Sequence, residues 1–100
     1  MTCRKAQGAP FVAFVIFDER DVDVEGTPAS WGATPTYKRC FCATCGSRVF
    51  GLEHGEIELS LGAFDETGLF TPQYECWVVH REPWLPPFDI VQHTHNRPPL

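Results

Sequence analysis

Short apolar runs bounded by turn residues fill this chain. No window of about 12 residues shows the three-to-four spacing of a helical stripe, so the pattern predicts strands. The run Phe11-Val12-Ala13-Phe14-Val15-Ile16-Phe17 is apolar at every position. It predicts a strand that is central in its sheet or covered on both faces. Asp18-Glu19-Arg20 ends it. Val22 to Val24 predicts a short strand closed by Glu25-Gly26, and Ala29 to Gly32 another, broken at Thr34-Pro35. Tyr37 to Phe41 and Arg48 to Leu52 predict a hairpin with Cys42 and Cys45 at its tip. Ile57-Glu58-Leu59-Ser60-Leu61 alternates as a half-buried strand should.

Beyond it, Gly62 to Thr71 predicts a loop with one helical turn, and Tyr74 to Val79 a last strong strand. From Glu82 prolines are dense, and 86–100 predicts an irregular tail. The expected fold class is all-β, in one domain over 1–100 with no internal repeat.

Composition and charge narrow the function. With 100 residues, a chain this short buries a modest core, so a structural metal would add appreciably to its stability. The net charge of −5 argues against a nucleic-acid footprint, which needs clustered Lys and Arg, and against an anionic membrane surface. The basic pairs Arg4-Lys5 and Lys38-Arg39 do not make a patch. No stretch approaches the roughly 18 apolar residues of a membrane span, and Met1 to Ala9 is too polar for a signal peptide. The expectation is a soluble cytoplasmic protein with reduced thiols.

Five cysteines are present: Cys3, Cys40, Cys42, Cys45 and Cys76. Cys42-Ala-Thr-Cys45-Gly46 has the spacing of a zinc knuckle. Two residues between thiolates let both sulfurs reach one tetrahedral ion at about 2.3 Å, and glycine tolerates the sharp turn that follows. A thioredoxin-like redox pair would need a helix after the motif, and the flanks here read as strands. Cys40 lies two residues before Cys42 and could approach the same site, or could be a buried free cysteine. Cys76 reads as a small core residue.

Cys3-Arg4-Lys5-Ala6-Gln7-Gly8-Ala9-Pro10-Phe11, followed by Arg39-Cys40-Phe41-Cys42-Ala43-Thr44-Cys45-Gly46-Ser47, resembles the glutathione-dependent formaldehyde-activating enzyme family, which also includes centromere protein V. Gly62-Ala63-Phe64-Asp65 is similar to the family's G-x-L-D loop. Trp77 and Glu82-Pro83-Trp84 are similar to its late tryptophan strand and its K-x-P-W segment. The resemblance implies the all-β fold often called a β-tent, and two zinc sites. One is structural, held by an early C-x-C and the later C-x-x-C, which Cys42 and Cys45 match. The other is thought catalytic, held by C-x-C-x-x-C, of which Cys3 matches the last cysteine. The remaining four ligands would precede Met1, so an N-terminally truncated member is the expectation.

The activity the resemblance implies is carbon–sulfur bond making or breaking on glutathione–aldehyde adducts. The expected metal ligands are Cys3, Cys42 and Cys45, with Cys40 a further candidate, and zinc is the expected cofactor. Arg4 and Lys5 could attract the carboxylates of glutathione, or could be a solvated basic pair. The alternatives are a non-catalytic zinc-stabilised binding module and an inactive truncated fragment. Among the histidines, His54-Gly55 reads as a turn, and His93 and His95 as part of an exposed tail that could instead hold metal. Asp65 and Glu66 read as a surface turn, or as acid/base carboxylates, and Trp31, Trp77 and Trp84 as packing for the core and its lid, or as an aromatic wall for a ligand cleft.

Overall fold

The computed structural model describes residues 2–32 and 34–98, in two compact units, Ala13–Thr67 and Met1–Val12 with Gly68–Leu100. The fold is mostly β, as the apolar pattern predicts, with one short α-helix.

Ala13–Thr67 is built on a five-stranded antiparallel sheet. Its strands are β1 (Phe14–Asp18), β2 (Ala29–Trp31), β3 (Tyr37–Phe41), β4 (Arg48–Glu53) and β5 (Glu56–Ser60), in the order β1-β5-β4-β3-β2. β1 is therefore an edge strand, so of the two expectations, central or covered on both faces, the central one does not hold; its Phe14–Phe17 side chains are half-buried on both faces. A run of apolar residues reports burial on both faces and carries no information about pairing at the edges. The predicted strand over Val22 to Val24 does not form. Glu19–Asp21 is instead a 3₁₀ turn, with Asp18 accepting from the Arg20 backbone N–H.

The β4–β5 hairpin turns on His54 and Gly55, with φ of 49° and 78°. Two left-handed residues between the Glu53↔Glu56 pair match the twist of the flanking strands, as a two-residue hairpin loop requires. The expected turn is thus present, and the strand that follows is Glu56–Ser60.

Cross-strand register sorts the side chains into two faces. Val15, Leu59, Phe50, Cys40 and Ser30 form one row across all five strands. Phe17, Ile57, Leu52 and Lys38 form the next row on that face. The core sits here, around Cys40, Phe50 and Ile57, with Phe17, Val22, Val49, Leu52 and Leu59 packed against it. Cys40 and Ile57 are each 1% exposed, and burying an Ile side chain to that degree stabilises by about 1.5–3 kcal/mol.

The opposite face carries Ile16, Glu58, Gly51, Arg39 and Trp31 in one row. Tyr37 lies across β4, and its hydroxyl donates to Glu58 Oε2 at 2.9 Å. This crossing requires Gly51, because a Cβ there would stand 2.6 Å from the Tyr37 hydroxyl.

The second unit contains α1 (Thr2–Gln7) and a two-stranded parallel pair, β6 (Tyr74–Glu75) and β7 (Val91–Gln92). α1 ends on Gly8, whose φ of +63° places it in the left-handed cap that glycine adopts without strain. The strand predicted over Tyr74 to Val79 stops after two residues. Trp77 has φ 58°, a left-handed conformation no extended ladder accepts, and Val78–His80 continues as a 3₁₀ turn. The stretch 86–100, expected to be irregular, holds β7; its residues 99 and 100 lie outside the described residues. Among the described residues no helix is long and apolar enough to cross a membrane.

Candidate functional site

The hairpin tip between β3 and β4 folds around Cys42. Its N–H donates to the Ser47 carbonyl at 2.8 Å, and its carbonyl accepts from Gly46 N–H at 2.8 Å. Gly46 takes φ +77°, the turn expected after the second cysteine. The loop thereby directs the Cys45 and Thr44 backbone N–H groups at the Cys42 sulfur. These donors, with a smaller contribution from the Cys45 thiol, hold the Cys42 thiol below its ordinary range. The Cys45 thiol and the loop backbone thus converge on the Cys42 sulfur.

Cys40 differs sharply from its neighbour. Burial pushes its thiol up, with opposing pulls from Lys38 and Arg48. It stands among Phe50 and Ile57 and lines a cavity of about 310 Å³ with Val22, Val24 and Pro28. Cys76, read as a core residue, is only half-buried.

A zinc ion needs three or four protein ligands. Among the described residues no group of three or more His, Cys, Asp or Glu side chains is gathered to hold one. The donor set at the hairpin tip is the thiol pair Cys42 and Cys45, and a complete zinc site does not fit these residues alone. Cys3 lies in α1, in the other unit.

Arg4 and Lys5 are on the same helix and line an open groove of about 540 Å³ with Gly8, Ala9, Pro10, Glu82 and Trp84. That volume falls within the range of small-molecule sites, about 300–1,000 Å³. Arg4 donates to and ion-pairs with Glu82. Lys5 is exposed and has no ion-pair partner among the described residues. Both cations lie in the last turn of α1, where positive charge complements the helix dipole. Glu82 begins a turn closed by Leu85 N–H donating to its carbonyl at 3.0 Å, with Pro83 next in the turn. Proline fixes φ at that position and sets Trp84 outward.

Residues 1–80 match the family model described as glutathione-dependent formaldehyde-activating enzyme. The chain belongs to the glutathione-dependent formaldehyde-activating enzyme family. No curated protein matches it. The matched residues include Arg4, Lys5 and the Cys42–Cys45 hairpin and stop short of Glu82 and Trp84.

Several sequence readings change with the geometry. Trp31, Trp77 and Trp84, expected to pack the core and its lid, are 41%, 47% and 69% exposed. His93 meets the Tyr74 ring edge-on at 5.7 Å and His95 meets Trp77 edge-on at 5.2 Å, while His80 stacks on Trp77 at 6.0 Å. Asp65 and Glu66 are exposed, in keeping with the surface turn expected there. Sequence reasoning passed over Glu82 as a site residue. Its signal was the Glu-Pro-Trp string, which places an acid directly before a turn-forming proline and an aromatic.

Proposed function

We propose that this protein acts on glutathione–aldehyde adducts, making or breaking the carbon–sulfur bond of a hemithioacetal. The observation that carries the reading is the groove in which Arg4 and Lys5 stand beside Trp84, on a chain whose family is the formaldehyde-activating one. Glutathione carries two carboxylates and one ammonium, and a groove with two cations and one carboxylate complements that charge. In the forward direction the thiolate sulfur adds to the aldehyde carbon, the C=O π pair moves to oxygen, and that oxygen takes a proton. In the reverse step the hydroxyl gives up its proton, the C=O reforms, the C–S pair returns to sulfur and the aldehyde is released.

Lys5 would hold a substrate carboxylate by its ammonium, and the exposed Trp84 face would shield the apolar flank of the tripeptide. Zinc belongs to the same proposal, with Cys42 and Cys45 as two of its thiolate ligands.

The test is calorimetric titration with glutathione together with NMR detection of hemithioacetal turnover. Saturable binding and turnover above the uncatalysed rate are expected. Binding without turnover would reduce the protein to a glutathione-binding module. Absence of binding would overturn the proposal.

A further inference from the structure

The groove holds charges of both signs close together, which a site for a plain dianion does not need. Glu82 accepts from Arg4 through Oε1 alone. A carboxylate has about four acceptor positions on its two oxygens, so Oε2 keeps acceptor capacity. Lys5 supplies a compact ammonium with three donors and no protein counter-ion among the described residues. Trp84, 69% exposed, presents an aromatic face on the same groove. Gly8 and Ala9 keep the floor low, and nothing lies within 4 Å of where a Gly8 Cβ would stand.

A neighbouring cation and anion, with an apolar wall beside them, match an α-amino acid head: a carboxylate and an ammonium on one carbon, followed by a methylene chain. We infer that Lys5 and Glu82 recognise the α-amino carboxylate head of a γ-glutamyl group, with Trp84 covering its methylenes. This rests on the glutathione reading above and extends it. It assigns the γ-glutamyl end of the substrate to this groove and makes Glu82 a specificity-determining residue. A ligand with the carboxylate but no amino group makes one charge-assisted bond to Glu82 fewer, which weakens binding.

The experiment compares three ligands on the full chain by calorimetric titration: glutathione, its des-amino analogue (glutaryl-cysteinylglycine) and γ-glutamylcysteine. The des-amino analogue is expected to bind about tenfold more weakly than glutathione, and γ-glutamylcysteine within about threefold of it. In Glu82→Gln the preference for the amino group disappears while the des-amino analogue binds as before. In Lys5→Met all three ligands weaken together. Equal binding of glutathione and the des-amino analogue by the natural chain overturns the inference and leaves the glutathione proposal standing. So does a Glu82→Gln variant that keeps the preference. Absence of glutathione binding overturns both. The ligand comparison on the unaltered chain needs no variant to fold, so the outcome does not depend on the Arg4–Glu82 pair tolerating substitution.

Discussion

The two units differ in where they put their apolar residues. Every fully buried residue among those described lies in Ala13–Thr67: Cys40, Phe50, Gly51, Ile57 and Ser60. The unit formed by Met1–Val12 and Gly68–Leu100 has none. Of the ten large apolar residues that are exposed among those described, it holds eight, including Trp77, Trp84 and Phe88. The first unit closes its hydrogen bonds in a five-stranded sheet, and the second has a two-residue parallel pair. Isolated short pairs are marginal in water, whereas several strands with one buried face are stable. The proposed ligand groove sits in the less buried unit, where exposed side chains are available to a substrate.

The sharpest way to break this contrast is a pair of truncations. Ile57→Ala removes a side chain that is 1% exposed, and should cost about 2–5 kcal/mol in urea unfolding. Val91→Ala removes one that is 59% exposed, and should stay within about 0.5 kcal/mol. Comparable losses would show that both units carry equal cores. Amide exchange read on the same samples should protect β4 and β5 far more than β6 and β7.

Next in size is Gly51→Ala. A new Cβ would meet the Tyr37 hydroxyl at 2.6 Å and the ring carbon bearing it at 3.1 Å. Tyr37 cannot swing aside freely. It donates to Glu58, accepts from Arg48 at 2.8 Å, and lies under the Arg39 guanidinium at 4.3 Å. A loss of about 1–3 kcal/mol is expected by chemical denaturation. Tyr37→Phe combined with Gly51→Ala should lose less than the two single changes added, since the hydroxyl makes the closest contact.

Smaller effects concern pH. Burial raises the Glu58 carboxyl above its ordinary range, with the Tyr37 hydrogen bond acting the other way. A carboxyl raised in the fold contributes stability below its unfolded pKa and loses it as pH rises through the folded value. Glu58→Gln should therefore flatten the stability profile on the alkaline side of the carboxylate range, measured by thermal unfolding at stepped pH.

The smallest effect is at Asp18, on the exposed edge of the sheet. Its carboxylate accepts from the Arg20 side chain and backbone, which lowers it from 3.8 to about 2. The sign is opposite to that of Glu58. Its contribution is present above 3.8 and fades as pH falls toward 2. Asp18→Asn should lose that small contribution at neutral pH, match the natural chain at the acid end, and so flatten the acid-side fall.

By itself the sequence determined the class of fold, four of the strands in the five-stranded sheet close to their observed bounds, the hairpin carrying Cys42 and Cys45, and the family. Alternating apolar residues, turn glycines and a C-x-x-C-G string are local signals, and local chemistry suffices to read them. It left β1 either central or covered on both faces, since an apolar run registers burial and a sheet edge is defined by which strands pair. It also extended the last strand past Trp77, where only the tertiary contacts hold a bulky residue at positive φ: its N–H donates to the His95 carbonyl at 2.8 Å, and His80 stacks on its ring.

The tertiary structure alone separated the neighbouring cysteines. Cys40 and Cys42 lie two residues apart, yet one is sealed under Phe50 and Ile57 while the other takes backbone donors at the hairpin tip. A register shift between Cys40 and Phe41 lies between them and breaks the simple alternation of faces. The structure alone also brought Glu82 and Trp84 to Arg4 and Lys5. That juxtaposition joins residues 78 positions apart through the Arg4–Glu82 pair, and no periodicity along the chain encodes it.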